Sequence, residues 1–168
     1  MNAPPEVWLR GPIQGIEPSL QPAAHTLRQA REDIAAAVQG LTEPQLWARP
    51  QGVAAIGFHL LHLPGSLDRL LTYSRGATLS REQLEALAAE KTVYEDRPTL
   101  TNLVARLAEG IEGAIDYLRT VPPETLLLPR EVGRKRLPST TLGLIFHAAE
   151  HSSRHAGQIV TLGPIVRG

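Results

Sequence analysis

The chain has 168 residues, 42% of them hydrophobic, enough to bury one core, and a single domain over residues 1–168 is the expectation. Seventeen basic residues balance seventeen acidic ones, a zero formal charge that argues against a nucleic-acid binder and favours self-association. With no Cys, the chain has no disulfides, thiolate nucleophiles or cysteine-based zinc sites.

Residues 1–19 are rich in Pro and Gly and read as an extended arm, with Val7, Trp8 and Leu9 available to pack on the body. Met1 to Arg10 carry no apolar signal region, and no apolar run approaches the ~20 residues that span a membrane. A cytoplasmic location is the default expectation.

Ser19 or Pro22 opens a first helix that runs to about Gln39, with Gly40 as its stop. Leu20, Ala24, Leu27, Ala30, Ile34 and Val38 form its apolar stripe, and His25 stands beside it. Leu41 to Gly52 is a connection with one helical turn capped by Thr42, Pro44 in its first turn and Trp47 as an anchor. The second helix spans Val53 to Arg75, and its dense apolar content predicts deep burial. Pro64 removes a backbone donor and crowds the Leu60 carbonyl, so a kink is expected beside His59 and His62.

Gly76 ends that helix. Ser80 and Gln83 form a capping box for a short helix to about Glu90, and Lys91 to Pro98 reads as a polar loop. Thr99 caps a third long helix to about Thr120. Val121 to Pro138 reads as a connection holding the basic run Arg134-Lys135-Arg136, and Ser139 or Thr140 caps a last helix to about Leu162. No stretch shows sustained strand alternation. The fold class expected is all-α: four long helices and a short extra one, closing around one core as a bundle.

Five of the six histidines fall in two helical stretches. His147, His151 and His155 recur every four residues and share a helix face; His59 and His62 share one at i, i+3. If the stretches face each other, neutral imidazoles can bind one first-row divalent ion, and three protein ligands leave a position for water or substrate. The competing reading is polar core packing, and His25 is read as hydrogen-bonded only. The peptidase signature is absent because Glu150 precedes His151, and the paired Glu-x-x-His motifs of di-iron bundles are missing. Glu150 and Arg154 form a surface pair at i, i+4 or orient a ligand from behind. Asp68 and Arg69 are solvated or paired across the bundle. The Arg134–Arg136 run is an exposed loop or an anion site beside the last helix.

The pattern Ile56-Gly57-Phe58-His59-Leu60-Leu61-His62-Leu63, then Asp68-Arg69-Leu70-Leu71, resembles the second helix of the DinB-like (DinB/YfiT-like) metalloenzymes. His147 to Ile159, with spaced histidines before Gly157-Gln158, resembles that family's closing signature. The resemblance implies an up-down-down-up four-helix bundle whose second helix gives one metal ligand and whose fourth gives two. Matched to this chain, these are His62, His151 and His155, with His59 and His147 as additional pocket residues or ligands. It further implies a divalent ion, zinc or nickel, a small-molecule substrate and a homodimer. Some relatives transfer groups to a low-molecular-weight thiol, so a thiol-dependent S-transferase is the leading expectation. The alternatives are a metal-dependent hydrolase and a non-catalytic metal-binding stress-response protein.

Overall fold

The computed structural model describes residues 4–168. Its α-helices are α1 (Gln21–Val38), α2 (Glu43–Trp47), α3 (Ile56–Ser74), α4 (Arg81–Ala89), α5 (Val93–Asp96), α6 (Leu100–Thr120) and α7 (Thr141–Arg167). Strands β1 (Pro129–Val132) and β2 (Leu137–Thr140) form an antiparallel hairpin.

The caps act where the sequence places them. The hydroxyls of Thr42, Ser80, Thr99 and Thr140 accept from the backbone amides of Gln45, Gln83, Asn102 and Gly143, satisfying donors that the first turn of a helix leaves unpaired. Gly40 takes a positive φ of 72° after α1, a conformation that costs glycine nothing. The α1 stripe is buried along its length from Leu20 to Val38.

Packing joins the long helices in a ring: α7 lies against α1 and α3, and α6 against α3 and α1. Their apolar faces share one buried cluster with Trp47, Val93 and Ile13. Two glycines permit close approach at α3. A Cβ on Gly57 would stand 2.7–2.9 Å from the Trp47 ring, and one on Gly110 of α6 would stand 2.9 Å from Pro64 Cβ. Helical structure continues through Pro64, so the proline seats α3 against α6 without ending it.

Several expectations are corrected. The 1–19 arm is not simply extended: Val7–Arg10 and Pro18–Leu20 form 3-10 turns. Val7, Ile13 and Ile16 are buried, while Trp8 and Leu9 stay 60% and 57% exposed. Two backbone groups, the amide of Val7 and the carbonyl of Ile13, are held by Gln29 and Gln21. Residues 1–3 of the arm lie outside the described residues.

The second helix begins at Ile56, not Val53, and the polar stretch after Glu90 contains α5. The last helix passes Leu162 and Pro164 to Arg167, whose guanidinium donates to the carbonyls of Ala37 and Gln39 at the end of α1. The hairpin was not expected, because its strands are four residues long and carry Pro129 and Pro138, which an edge strand tolerates. Gly133 and Arg136 turn the chain with positive φ. Arg134, Lys135 and Arg136 are exposed at its tip, and Arg136 pairs with Glu131.

Candidate metal centre

The site is built where α3 and α7 cross. His62 of α3 faces His151 of α7, and His59, one turn earlier on α3, faces His155, one turn later on α7. The two helices therefore run antiparallel here. Small residues let α7 approach: Ala148, Ser152 and Ala156 on the turn-spaced inner row are buried, and the Ser152 hydroxyl donates to the Ala148 carbonyl.

Ring nitrogens of His62, His151 and His155 all lie within 4.8 Å of one another. The His62 and His151 Nε2 atoms are 3.1 Å apart. A tetrahedral ion with bonds of ~2.0–2.1 Å separates its ligand nitrogens by about 3.3–3.4 Å. The donor set thus fits a small divalent ion with little movement, and imidazole nitrogen is a ligand type such ions prefer.

The tautomer of His62 is fixed from behind. Its Nδ1 donates to Glu90 Oε2 at 2.7 Å, which directs the Nε2 lone pair at the cluster. Glu90, at the C-terminal end of α4, also accepts from Arg69 Nη1 at 2.8 Å. Burial alone would raise the Glu90 carboxyl, but the hydrogen bonds from His62 and Arg69 and the Arg69 charge outweigh it and hold the carboxyl below its usual value. Gly65 gives this trio room: a Cβ there would lie 3.0 Å from Arg69 Nη1 and 3.2 Å from Glu90 Oε1. Phe58 stacks on His62 with ring centres 5.5 Å apart, and Tyr94 of α5 stacks on Phe58 in turn.

Burial pushes His155 down to about 3, with His151 and His59 as the next causes, and pushes His59 down to about 4. His151 is lowered too, first by burial and then by His62. At neutral pH these three rings are therefore unprotonated, the form that binds metal. His59 is 4% exposed and its Nδ1 stands 2.8 Å from His155 Nδ1, so the nitrogen of His155 not engaged by His59 is Nε2.

The histidines thus divide. His62, His151 and His155 come together, and His59 supports His155 from outside the trio. His147 shares the stripe but is exposed, with its ring centre 5.8 Å from that of His151 and its Nδ1 3.4 Å from Glu150. Glu150 pairs with Arg154 as the spacing indicates. His25 is hydrogen-bonded to the Gly11 carbonyl, at 3.1 Å, away from the other histidines. Arg69 is paired through Glu90, and Asp68 accepts from Gln83. Sequence reasoning missed Glu90, which is separated from His62 by 28 positions; nothing local sets it apart from Glu82 and Glu85 in the same capped helical stretch.

A family model described as "DinB superfamily" matches residues 26–159. No curated protein matches the chain. Among solved structures, the chain is similar to the "conserved protein of locus from Enterococcus faecalis". That similarity covers 89% of this chain and 97% of that one, with 19% identity and a TM-score of 0.70, a likeness of fold.

Proposed function

Because the chain belongs to the DinB superfamily, we propose that it is a metal-dependent enzyme whose His62, His151 and His155 hold one divalent ion, zinc or nickel. The observation that carries this reading is the convergence of three imidazoles on one point, with a carboxylate behind one of them. The same reading takes residues 1–168 as a single domain and the four long helices as an up-down-down-up bundle.

When bound, the ion supplies a Lewis acid that lowers the pKa of a water or thiol at its open position. The residues of the chain do the rest. Glu90 holds the His62 proton on Nδ1, and Arg69 keeps Glu90 ionised. His59 occupies the outer nitrogen of His155 and does not enter the trio, which favours an open catalytic shell over a closed structural one. That arrangement favours an enzyme over a metal-binding stress-response protein. The reaction we propose is transfer of a group to a low-molecular-weight thiol, with metal-assisted hydrolysis as the alternative.

Elemental analysis of the purified protein against the variant carrying His151→Ala and His155→Ala tests the centre. The expected result is one equivalent of metal per chain in the former and none in the latter; equal content overturns the proposal. A panel of thiols and electrophiles given to the metal-loaded protein then separates thiol transfer from hydrolysis. A cytoplasmic homodimer acting on a small molecule, and on neither nucleic acid nor membrane, completes the reading. Among the described residues, no helix is long and apolar enough to cross a membrane. Sedimentation that finds only monomer at micromolar concentration removes the dimer.

A further inference from the structure

A cavity of about 700 Å³ runs along α7 away from the histidines. Its volume lies in the range of small-molecule sites. His59 forms part of its wall, and His59 touches His155, so one end of the cavity abuts the candidate metal centre. From Arg154 to Ile165 its α7 wall spans twelve residues, eleven helical rises or about 16 Å. The facing wall comes from Val53 and Ala54, just before α3, and Pro50. Because α3 and α7 are antiparallel, these lie at the far end, level with Leu162 and Ile165.

The lining changes character along this length. Beside His59 stand Arg154 and Gln158, whereas the far end is mainly apolar, with Val53, Ala54, Leu162 and Ile165 around the uncharged side chains of Gln51 and Thr161. One cation and no carboxylate line the cavity. Glu150 takes the Nε and Nη2 groups of Arg154 but does not itself line the space, and Nη1 lies outside that pair. Gly157 sits midway. It is in a helix interior, where glycine is unfavourable relative to alanine, and a Cβ there would meet nothing within 4 Å. Packing does not require this glycine; its effect is to keep the cavity wide.

We infer that the cavity binds an elongated amphipathic monocarboxylate, with its carboxylate at Arg154 and Gln158 beside His59 and its apolar chain lying toward Ile165. The single cation near His59, the length and the uncharged, mainly apolar far end all select this class. The inference deepens the metal-centre reading and rests on it for what happens to the polar end, which is presented to the histidines. Occupancy of the cavity does not depend on a metal.

The test is calorimetric titration of the full chain, metal-free and zinc-loaded, with hexanoate, octanoate and decanoate and with the matching primary alcohols. Affinity is expected to rise with chain length, by up to about fourfold for each methylene buried, and carboxylates are expected to bind tighter than alcohols. Gly157→Leu narrows the cavity and should weaken decanoate at least tenfold. Ile165→Asp, at a position 55% exposed where folding tolerates charge, should weaken decanoate more than hexanoate. Arg154→Met should remove the preference for carboxylate over alcohol. An affinity that does not change with chain length, no saturable binding, or unchanged decanoate binding in both Gly157→Leu and Ile165→Asp overturns the inference. Because the metal-free arm reads the cavity alone, failure of the metal centre appears separately, as loss of metal with chain-length dependence intact.

Discussion

Replacing Glu90 by Gln tests whether the carboxylate behind His62 tunes the centre. Gln keeps the size and one acceptor but removes the charge. Two partners respond. An amide no longer requires the His62 proton on Nδ1, since its own NH2 can donate there and turn the imidazole to the tautomer that points N–H at the cluster. Arg69, whose side chain is 12% exposed, loses its ionic partner. Loss of such a supporting group lowers metal affinity by about 10–100-fold, or about 1.4–2.7 kcal/mol. The metal-free protein is also expected to lose about 2 kcal/mol, between the ~0.5 of an exposed ion pair and the 3–5 of a fully buried one. Competition for zinc against a chromophoric chelator reads the first quantity, and urea unfolding of the metal-free protein reads the second. A zinc Kd within twofold of the wild type, in a preparation where His151→Ala raises it more than a hundredfold, refutes the role assigned to Glu90.

Three further outcomes follow from the same geometry. Gly65→Ala brings a methyl against Arg69 and Glu90, both able to yield at their tips, so zinc affinity should fall about two- to tenfold without loss of fold, as measured by the same competition. Gly57→Ala meets the buried ring of Trp47 instead, which has nowhere to go, and should cost about 1–3 kcal/mol in urea unfolding; an unchanged midpoint would contradict the packing. The folded-state pKa values of His155 and His59, about 3 and 4, lie below the unfolded value near 6.5. In that window the unfolded chain binds protons that the folded one refuses, so the metal-free protein should be progressively less stable as pH falls from 6.5 toward 4. A urea midpoint that is flat between pH 6.5 and 4.5 would show that the two rings stay accessible to protons.

Where local chemistry decides structure, the residues were readable: the hydroxyl caps, the Ser80–Gln83 box, the α1 stripe and the histidines at i, i+4 each state their geometry within a turn. Hairpin β1–β2 escaped notice because alternation over four residues that include a proline is not distinguishable from a loop. The last turn of α7 continues past Pro164, and Arg167 there reaches back to α1, a tertiary bond without local trace. Spacing alone placed His147 beside His151 but not its exposure, since each step of four residues turns the stripe by about 40° and the spacing does not say where along that drift the cover of α3 stops. The tie between Glu90 and His62 lay beyond periodicity for the same reason: it joins two elements through a fold, not through a helix face.

Helix α4 has no buried residue of its own. It is fastened to α3 through polar contacts, from Gln83 to Asp68 and Thr72 and from Glu90 to Arg69 and His62. A metal that firms up His62 must therefore slow the opening of the whole segment from Ser80 to Glu90, and its amides should trade hydrogen for deuterium more slowly in the loaded protein. The amides of α6, which meets α3 through Pro64 and Gly110, should keep their rate. A peripheral helix would thus report, from outside the core, whether the histidines are occupied.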